Sequence, residues 1–255
     1  MSTATSQAIA IGDEKVKFPL HDAAREGKTQ IVESLLASHP KDALKKDDDE
    51  RLPIHWAASN SHDEIVDQLL LVKGLDVDET DSSGWTVLHI AASTGNDTLV
   101  GKLIKRDADV NQKTNTGQTA LHFATSKNHL ETVKLLLANG ASARIRDSRS
   151  QLPLHRAAAI GSVPIAKLLI QHGSPLNTSD ASNQTPLHHA MAEGHGDVVV
   201  ELLRAGAEQD RKDDDGKLWY EVLGTSERDK QVVEYVKKAC EAEGIELKLE
   251  GEGQN

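Results

Sequence analysis

The sequence predicts an all-α solenoid of seven helix-turn-helix repeats joined by short β-hairpin loops, and three observations carry that expectation. A tetrapeptide ending in His recurs six times: Phe18-Pro19-Leu20-His21, Leu52-Pro53-Ile54-His55, Thr86-Val87-Leu88-His89, Thr119-Ala120-Leu121-His122, Leu152-Pro153-Leu154-His155 and Thr185-Pro186-Leu187-His188. The histidines stand 34, 34, 33, 33 and 33 residues apart, a period that belongs to stacked repeats rather than to one closed core. With only three Trp, two Tyr and two Phe in 255 residues, the interior must be built from thin layers of Ala, Leu, Val and Ile.

Each element of the repeat has a physical task. The hydroxyls of Thr86, Thr119 and Thr185 are placed to cap the first helix, and Pro186 suits a first helical position, where its missing N–H would be unpaired anyway. Two residues after each His comes Ala (Ala23, Ala57, Ala91, Ala124, Ala157, Ala190), which lets neighbouring helices approach closely. Gly27, Gly95, Gly161 and Gly194 then fall at the turn between paired helices. The second helix follows with a stripe at helical spacing, as in Ile31/Val32/Leu35/Leu36 and Ile65/Val66/Leu69/Leu70, which is buried only when one unit stacks on the next. A T-P-L-H-x-A pattern at this period is the ankyrin pattern. A seventh, degenerate unit places Tyr220 in the Leu slot, Glu221 in the His slot and Leu223 in the Ala slot, and predicts a closing helix over 227–243 with a charged outer face.

The repeats span residues 17–243. Residues 1–16 lack periodicity and are expected to form a disordered leader, and residues 244–255 a flexible acidic tail. The single Cys240 leaves no internal disulfide and no Cys-rich zinc pattern. No stretch approaches a membrane span and no signal-peptide pattern opens the chain, so an intracellular, soluble monomer is expected, with no membrane partner.

Catalytic chemistry finds little support. Six of the twelve histidines occupy the repeat slot, and the densest group, His188, His189 and His195 with Glu193 and Asp197, spans a helix and the turn after it rather than one face. Gly27-Lys28-Thr29 mimics the end of a phosphate loop, but the residue five before Gly27 is Asp22 and no strand precedes it. No enzyme activity, metal or cofactor is expected.

Charge says more. Residues 41–84 carry 12 acids and 5 bases, residues 101–172 carry 4 and 11, and residues 173–255 carry 18 and 9. Loops of such a stack project along one edge, so Asp47, Asp48, Asp49, Glu50 and Asp81 are expected together, with Arg144, Arg146, Arg149 and Arg156 as a basic counterpart. A protein of mixed charge suits this surface, whereas nucleic acid would be repelled at both ends. Trp56, which follows the motif His, and Trp85, near a loop tip, are expected as binding anchors, Trp85 the more exposed.

Non-consensus residues narrow the resemblance. Ile54-His55-Trp56, Gly84-Trp85-Thr86, Ser126-Lys127-Asn128 and His155-Arg156-Ala157-Ala158-Ala159 resemble the gankyrin-like family of ankyrin-repeat chaperones for the proteasome regulatory particle, and Ala143-Arg144-Ile145-Arg146-Asp147 and Ala192-Glu193-Gly194-His195-Gly196-Asp197 its fungal members. The resemblance runs from about Leu20 to the C-terminal cap. It implies a non-catalytic assembly chaperone of cytoplasm and nucleus, holding the C-terminal domain of a proteasome base ATPase subunit in its concave face. It also implies that Arg51, Lys127 and Asp49 contact that domain. The family's acid before the third-repeat Gly-Trp is replaced by Ser82-Ser83, leaving Asp81. The alternative is an adaptor for a signalling or transcription protein.

Overall fold

The computed structural model describes residues 17–224 and 226–249; the leader expected over 1–16 and the end of the tail lie outside them. Helices come in pairs at the expected places: α1 (Pro19–Arg25) with α2 (Thr29–Ser38), α3 (Pro53–Ser59) with α4 (Asp63–Leu70), α5 (Val87–Thr94) with α6 (Asp97–Ile104), α7 (Ala120–Ser126) with α8 (Leu130–Ala138), α9 (Pro153–Ala159) with α10 (Val163–Gln171), and α11 (Pro186–Ala192) with α12 (Gly196–Arg204). The extra residue in the first two intervals is absorbed after the second helices, in one case by a 3-10 helix over Pro40–Leu44. First helices make more extensive contact with one another than second helices do.

The motif histidines explain the stacking. In five repeats the ring Nδ1 accepts the backbone N–H three residues earlier, at the start of its own helix: from Leu52, Thr86, Thr119, Leu152 and Thr185, at 3.0–3.3 Å. Nδ1 therefore carries no proton, and Nε2–H donates to a loop carbonyl further along the chain: Glu79 from His55, Gln112 from His89, Gln151 from His122, Thr178 from His155 and Lys217 from His188. Each ring thus ties a helix start to the loop of the following interval. The threonine hydroxyls, expected to cap backbone N–H groups, approach the same Nδ1 at 2.8–3.0 Å, and only Thr86 also accepts the His89 N–H, at 3.4 Å.

A second set of histidines locks the helix-helix turns. His62, His129 and His195 direct Nε2 to the carbonyls of Arg25, Ser93 and Ala159 in the preceding repeat. Their rings lie over Gly27, Gly95 and Gly161, where an added Cβ would come within 2.7, 2.6 and 2.5 Å of ring atoms. Those glycines are needed for the close approach as well as for their positive φ.

Two expectations are corrected. Among the described residues there is no strand, only an isolated antiparallel bridge between Lys212 and Leu218. The loops are hairpin-shaped turns with arms too short for a ladder, as in Asp47 N–H to Arg51 O and Glu50 N–H to Asp47 O. The seventh unit also lacks its first helix, although its register is as predicted: Glu221, in the His slot, accepts the Leu218 N–H at 2.8 Å, as the imidazole does elsewhere. Trp219 is buried beneath it, and α13 (Glu227–Glu243) closes the stack. The tail expected to be flexible begins by packing, with Ile245, Leu247 and Leu249 against the core and the Lys248 N–H on the Gln209 side chain.

Burial lowers the pKa of His89, His122 and His155 from 6.5 to about 4. The unfolded chain therefore binds more protons between pH 6.5 and 4. The contribution of these rings is complete above pH 6.5 and is lost as pH falls through that window, at about 3 kcal/mol per ring. The thermal midpoint is expected to drop steeply between pH 6.5 and 4.5; a flat profile there contradicts neutral rings. Gly161→Ala should destabilise by more than about 1 kcal/mol, and by less in a His195→Ala background, as measured by a urea double-mutant cycle.

Candidate functional site

The loops form one edge of the molecule, and their tips are bonded side by side. Successive turns are joined by backbone hydrogen bonds from Ser82 to Asp49, Asn115 to Ser83, Ser148 to Thr116, Ala181 to Arg149 and Asp214 to Ser182, all 2.9–3.2 Å. Gly84 permits one such approach, since a Cβ there would stand 2.7 Å from the Asn115 backbone nitrogen. This ladder sets equivalent tip residues in a row: Asp49, Ser83, Thr116, Arg149, Ser182 and Asp215. The row is acidic at both ends and basic inside. Packed helices lie about 8–10 Å apart, so Asp49 and Arg149, three repeats apart, are separated by roughly 25–30 Å.

Not every predicted acid is available on this edge. Asp47 Oδ1 accepts the N–H groups of Asp49 and Arg51, and its Oδ2 accepts the Trp56 indole N–H at 2.6 Å. Burial opposes its ionisation, but the indole and backbone N–H groups outweigh that and hold its pKa below the usual carboxylate range. Asp81 is 5% exposed, closes the next turn through the N–H groups of Ser83 and Trp85, and pairs with Arg51 Nε at 3.2 Å. Asp147 does the same for the turn holding Arg149 and Gln151, and its Oδ2 takes Arg156 at 2.7 Å. Asp180 is held down to about 2: burial raises it, but donors from Gln151, His189, Ser182 and Gln184 prevail. These carboxylates build the turns. Asp48 is exposed and paired with Lys17, whereas Asp49 and Glu50 are exposed and in no ion pair among the described residues.

The bases divide in the same way. Arg51 and Arg156 are half-buried and ion-paired, while Lys127, Arg144, Arg146 and Arg149 are exposed and, among the described residues, in no ion pair. Lys113, which sequence reasoning did not single out, is exposed one residue before its turn, as Arg146 is in the next repeat.

The residues directly after the motif histidines, on the first helices, form a second row: Asp22, Trp56, Ile90, Phe123, Arg156 and His189. Two guanidinium groups stand over the Trp56 ring, Arg51 at 4.6 Å and Arg25 at 5.6 Å from its centroid. It lines a pocket of about 210 Å³ with Phe18, Asp22 and Asp48. Trp85 and Phe123 pack at 4.2 Å between centroids, and Trp85 shares a neighbouring pocket of about 260 Å³ with Arg51, Ile90 and Thr94. Both tryptophans are half-buried. Sequence reasoning missed Phe123 and Ile90. The signal for them was a slot that changes chemistry from repeat to repeat inside an otherwise constant frame.

The histidines weighed as metal ligands go to separate partners: His188 to the Thr185 N–H, His189 to Asp180 and His195 to Ala159. Among the described residues, no three His, Cys, Asp or Glu side chains converge as a metal site, and no helix is long and apolar enough to cross a membrane.

The family profile described as ankyrin repeats (3 copies) matches residues 20–114, 65–147 and 121–213. No curated protein sequence matches. Among solved structures, the ankyrin repeat domain of Bcl-3, described as a unique member of the IkappaB protein family, superposes with a TM-score of 0.70 at 27% identity, covering 87% of this chain and 100% of that one. In all, 595 solved chains match, so the fold alone does not select a partner.

Asp47→Ala should cost about 1–3 kcal/mol, because it strands two backbone donors and the indole N–H. Asp49→Ala should stay within about 0.5 kcal/mol. Urea unfolding of the two variants checks the division between turn-building and free acids.

Proposed function

The chain belongs to the ankyrin-repeat family, and from that premise we propose that it is a non-catalytic assembly chaperone of the proteasome regulatory particle. Its concave face holds the C-terminal helical domain of one base ATPase subunit, in cytoplasm and nucleus, and masks that domain until assembly releases it. Ankyrin repeats present surfaces for protein partners, which is the coarse part of this reading. The observation that carries it further is the row of loop tips, where free acid at Asp49 and Glu50 and free base at Arg146 and Arg149 are fixed roughly 25–30 Å apart. That span matches the diameter of a small folded domain and exceeds what a short peptide turn covers. The resemblance to gankyrin-like chaperones, which implies contact roles for Arg51, Lys127 and Asp49, favours the same partner. Trp56, Trp85 and Phe123 give the groove an apolar floor between the charged bands.

Complementary charge at this distance acts mainly on the encounter rate. The triple reversal Asp48→Lys, Asp49→Lys, Glu50→Lys should slow association with the isolated ATPase domain about tenfold at low salt, with little change in dissociation. Affinity purification of the tagged protein with mass spectrometry tests the identity of the partner: base ATPase subunits should dominate. Recovery of signalling or transcription proteins in their place would establish the adaptor reading instead.

A further inference from the structure

Few large apolar side chains of this molecule face solvent, and two of those that do share one groove. Among the described residues only Ile31, Leu44, Leu71 and Tyr235 are large, apolar and exposed, and Leu71 is the extreme at 80%. Leu71 directly follows α4, and Leu44 ends the 3-10 helix that follows α2. With Leu36, Pro40 and Val72 they line an open groove of about 470 Å³ at the C-terminal ends of α2 and α4. The repeat frame does not require a leucine there. Sixteen residues after the motif His the other full repeats carry Ala37, Lys105, Ala138, Gln171 and Arg204, each small or polar. The opposite wall is equally local, since no other second helix among the described residues is followed by a 3-10 helix. A single exposed leucine is ordinary on any surface, but two that converge on one groove make a contact feature.

The polar groups of the groove say what fits it. Residues 41–84 are acidic overall, yet the charged side chains lining the groove are Lys41 and Lys73, both exposed and, among the described residues, in no ion pair. The one acid of the 3-10 helix, Asp42, is taken by Lys45. Gln68 also lines the groove, and its Oε1 is buried without a donor, so a small turn of the amide offers it to an incoming N–H. A fatty acid would bring a carboxylate but no N–H. We propose that this groove docks a segment of a partner protein in which leucine-type side chains stand beside Asp or Glu. The apolar groups seat between Leu44 and Leu71, the carboxylates meet Lys41 and Lys73, and a backbone N–H meets Gln68. No lining residue belongs to the loop-tip row or to the row after the motif histidines, so the groove serves a contact separate from the charged edge.

The peptide acetyl-Asp-Leu-Leu-Glu-Leu-Leu-Asp-amide, titrated into the full chain and followed by methyl NMR, tests this. The methyl signals of Leu36, Leu44, Leu71 and Val72 should shift and saturate while those of Leu136 and Leu169 stay. Leu71→Lys, which installs the residue type that Lys105 supplies in the third repeat at a site too exposed to unsettle the fold, should weaken binding about tenfold. Lys41→Glu with Lys73→Glu should do the same, as should a peptide with Lys in place of its Asp and Glu. Unshifted groove methyls at about 1 mM peptide overturn the proposal, and so does equal binding of the Lys peptide. It is also overturned if octanoate binds as well as the peptide, which would assign the groove to a free amphiphile, or if the Leu71 signal of the peptide-free chain moves on dilution, which would assign it to a second copy.

Discussion

The motif histidine, bonded at both ring nitrogens, is the constraint on which this molecule depends. One nitrogen accepts an N–H at the start of its own helix and the other donates to a loop of the following interval. A protonated ring has no acceptor and would face a backbone N–H with another N–H. The ring must therefore be neutral, with its proton on Nε2, and burial keeps it so. Small repeats with few aromatic residues have little other means of holding loops at a fixed height. Five histidines bonded in this way, with His21 joining its loop through Nε2 alone, do for the loops what the Leu and Val stripe does for the helices.

Once the loops are fixed, their carboxylates finish the edge. Asp47, Asp81, Asp147, Asp180 and Asp213 each close a turn by accepting two N–H groups, and Thr114 substitutes through its hydroxyl, which accepts the Gln118 N–H. The tips then bond to one another, and side chains at equivalent positions become a row with one residue per repeat. Parallel to it runs the row of residues that directly follow the motif histidines. The second row is also tied to the scaffold, because Trp56, Arg156 and His189 bond carboxylates that close the turns. The protein is thus a repeated frame whose exposed charged residues differ from one repeat to the next.

Most of the frame was legible in the sequence. Period, helix pairs, turn glycines and the closing helix follow from spacing alone, and even the replacement of His by Glu221 keeps its place, because a carboxylate oxygen accepts the same N–H that Nδ1 accepts elsewhere. The candidate site was legible in part. A run such as Asp47-Asp48-Asp49-Glu50 does not announce that its first member is spent on the turn and its second on Lys17, because that depends on which carboxylate meets the backbone. Asp81 and Arg51 looked like separate surface charges and prove to be partners. The alternation of His62, His129 and His195 with Gly27, Gly95 and Gly161 was present in the sequence, yet it takes effect only across the interface between neighbouring repeats. The packing of Ile245, Leu247 and Leu249 had no periodic signal long enough to find.

Imidazole nitrogen chemical shifts test the central constraint most directly. In ¹⁵N NMR of uniformly labelled protein, His89, His122 and His155 should each show one protonated nitrogen, Nε2, and one unprotonated acceptor, Nδ1, unchanged from pH 7 down to about 5. Titration of these rings near 6.5, or a proton on Nδ1, would contradict the account.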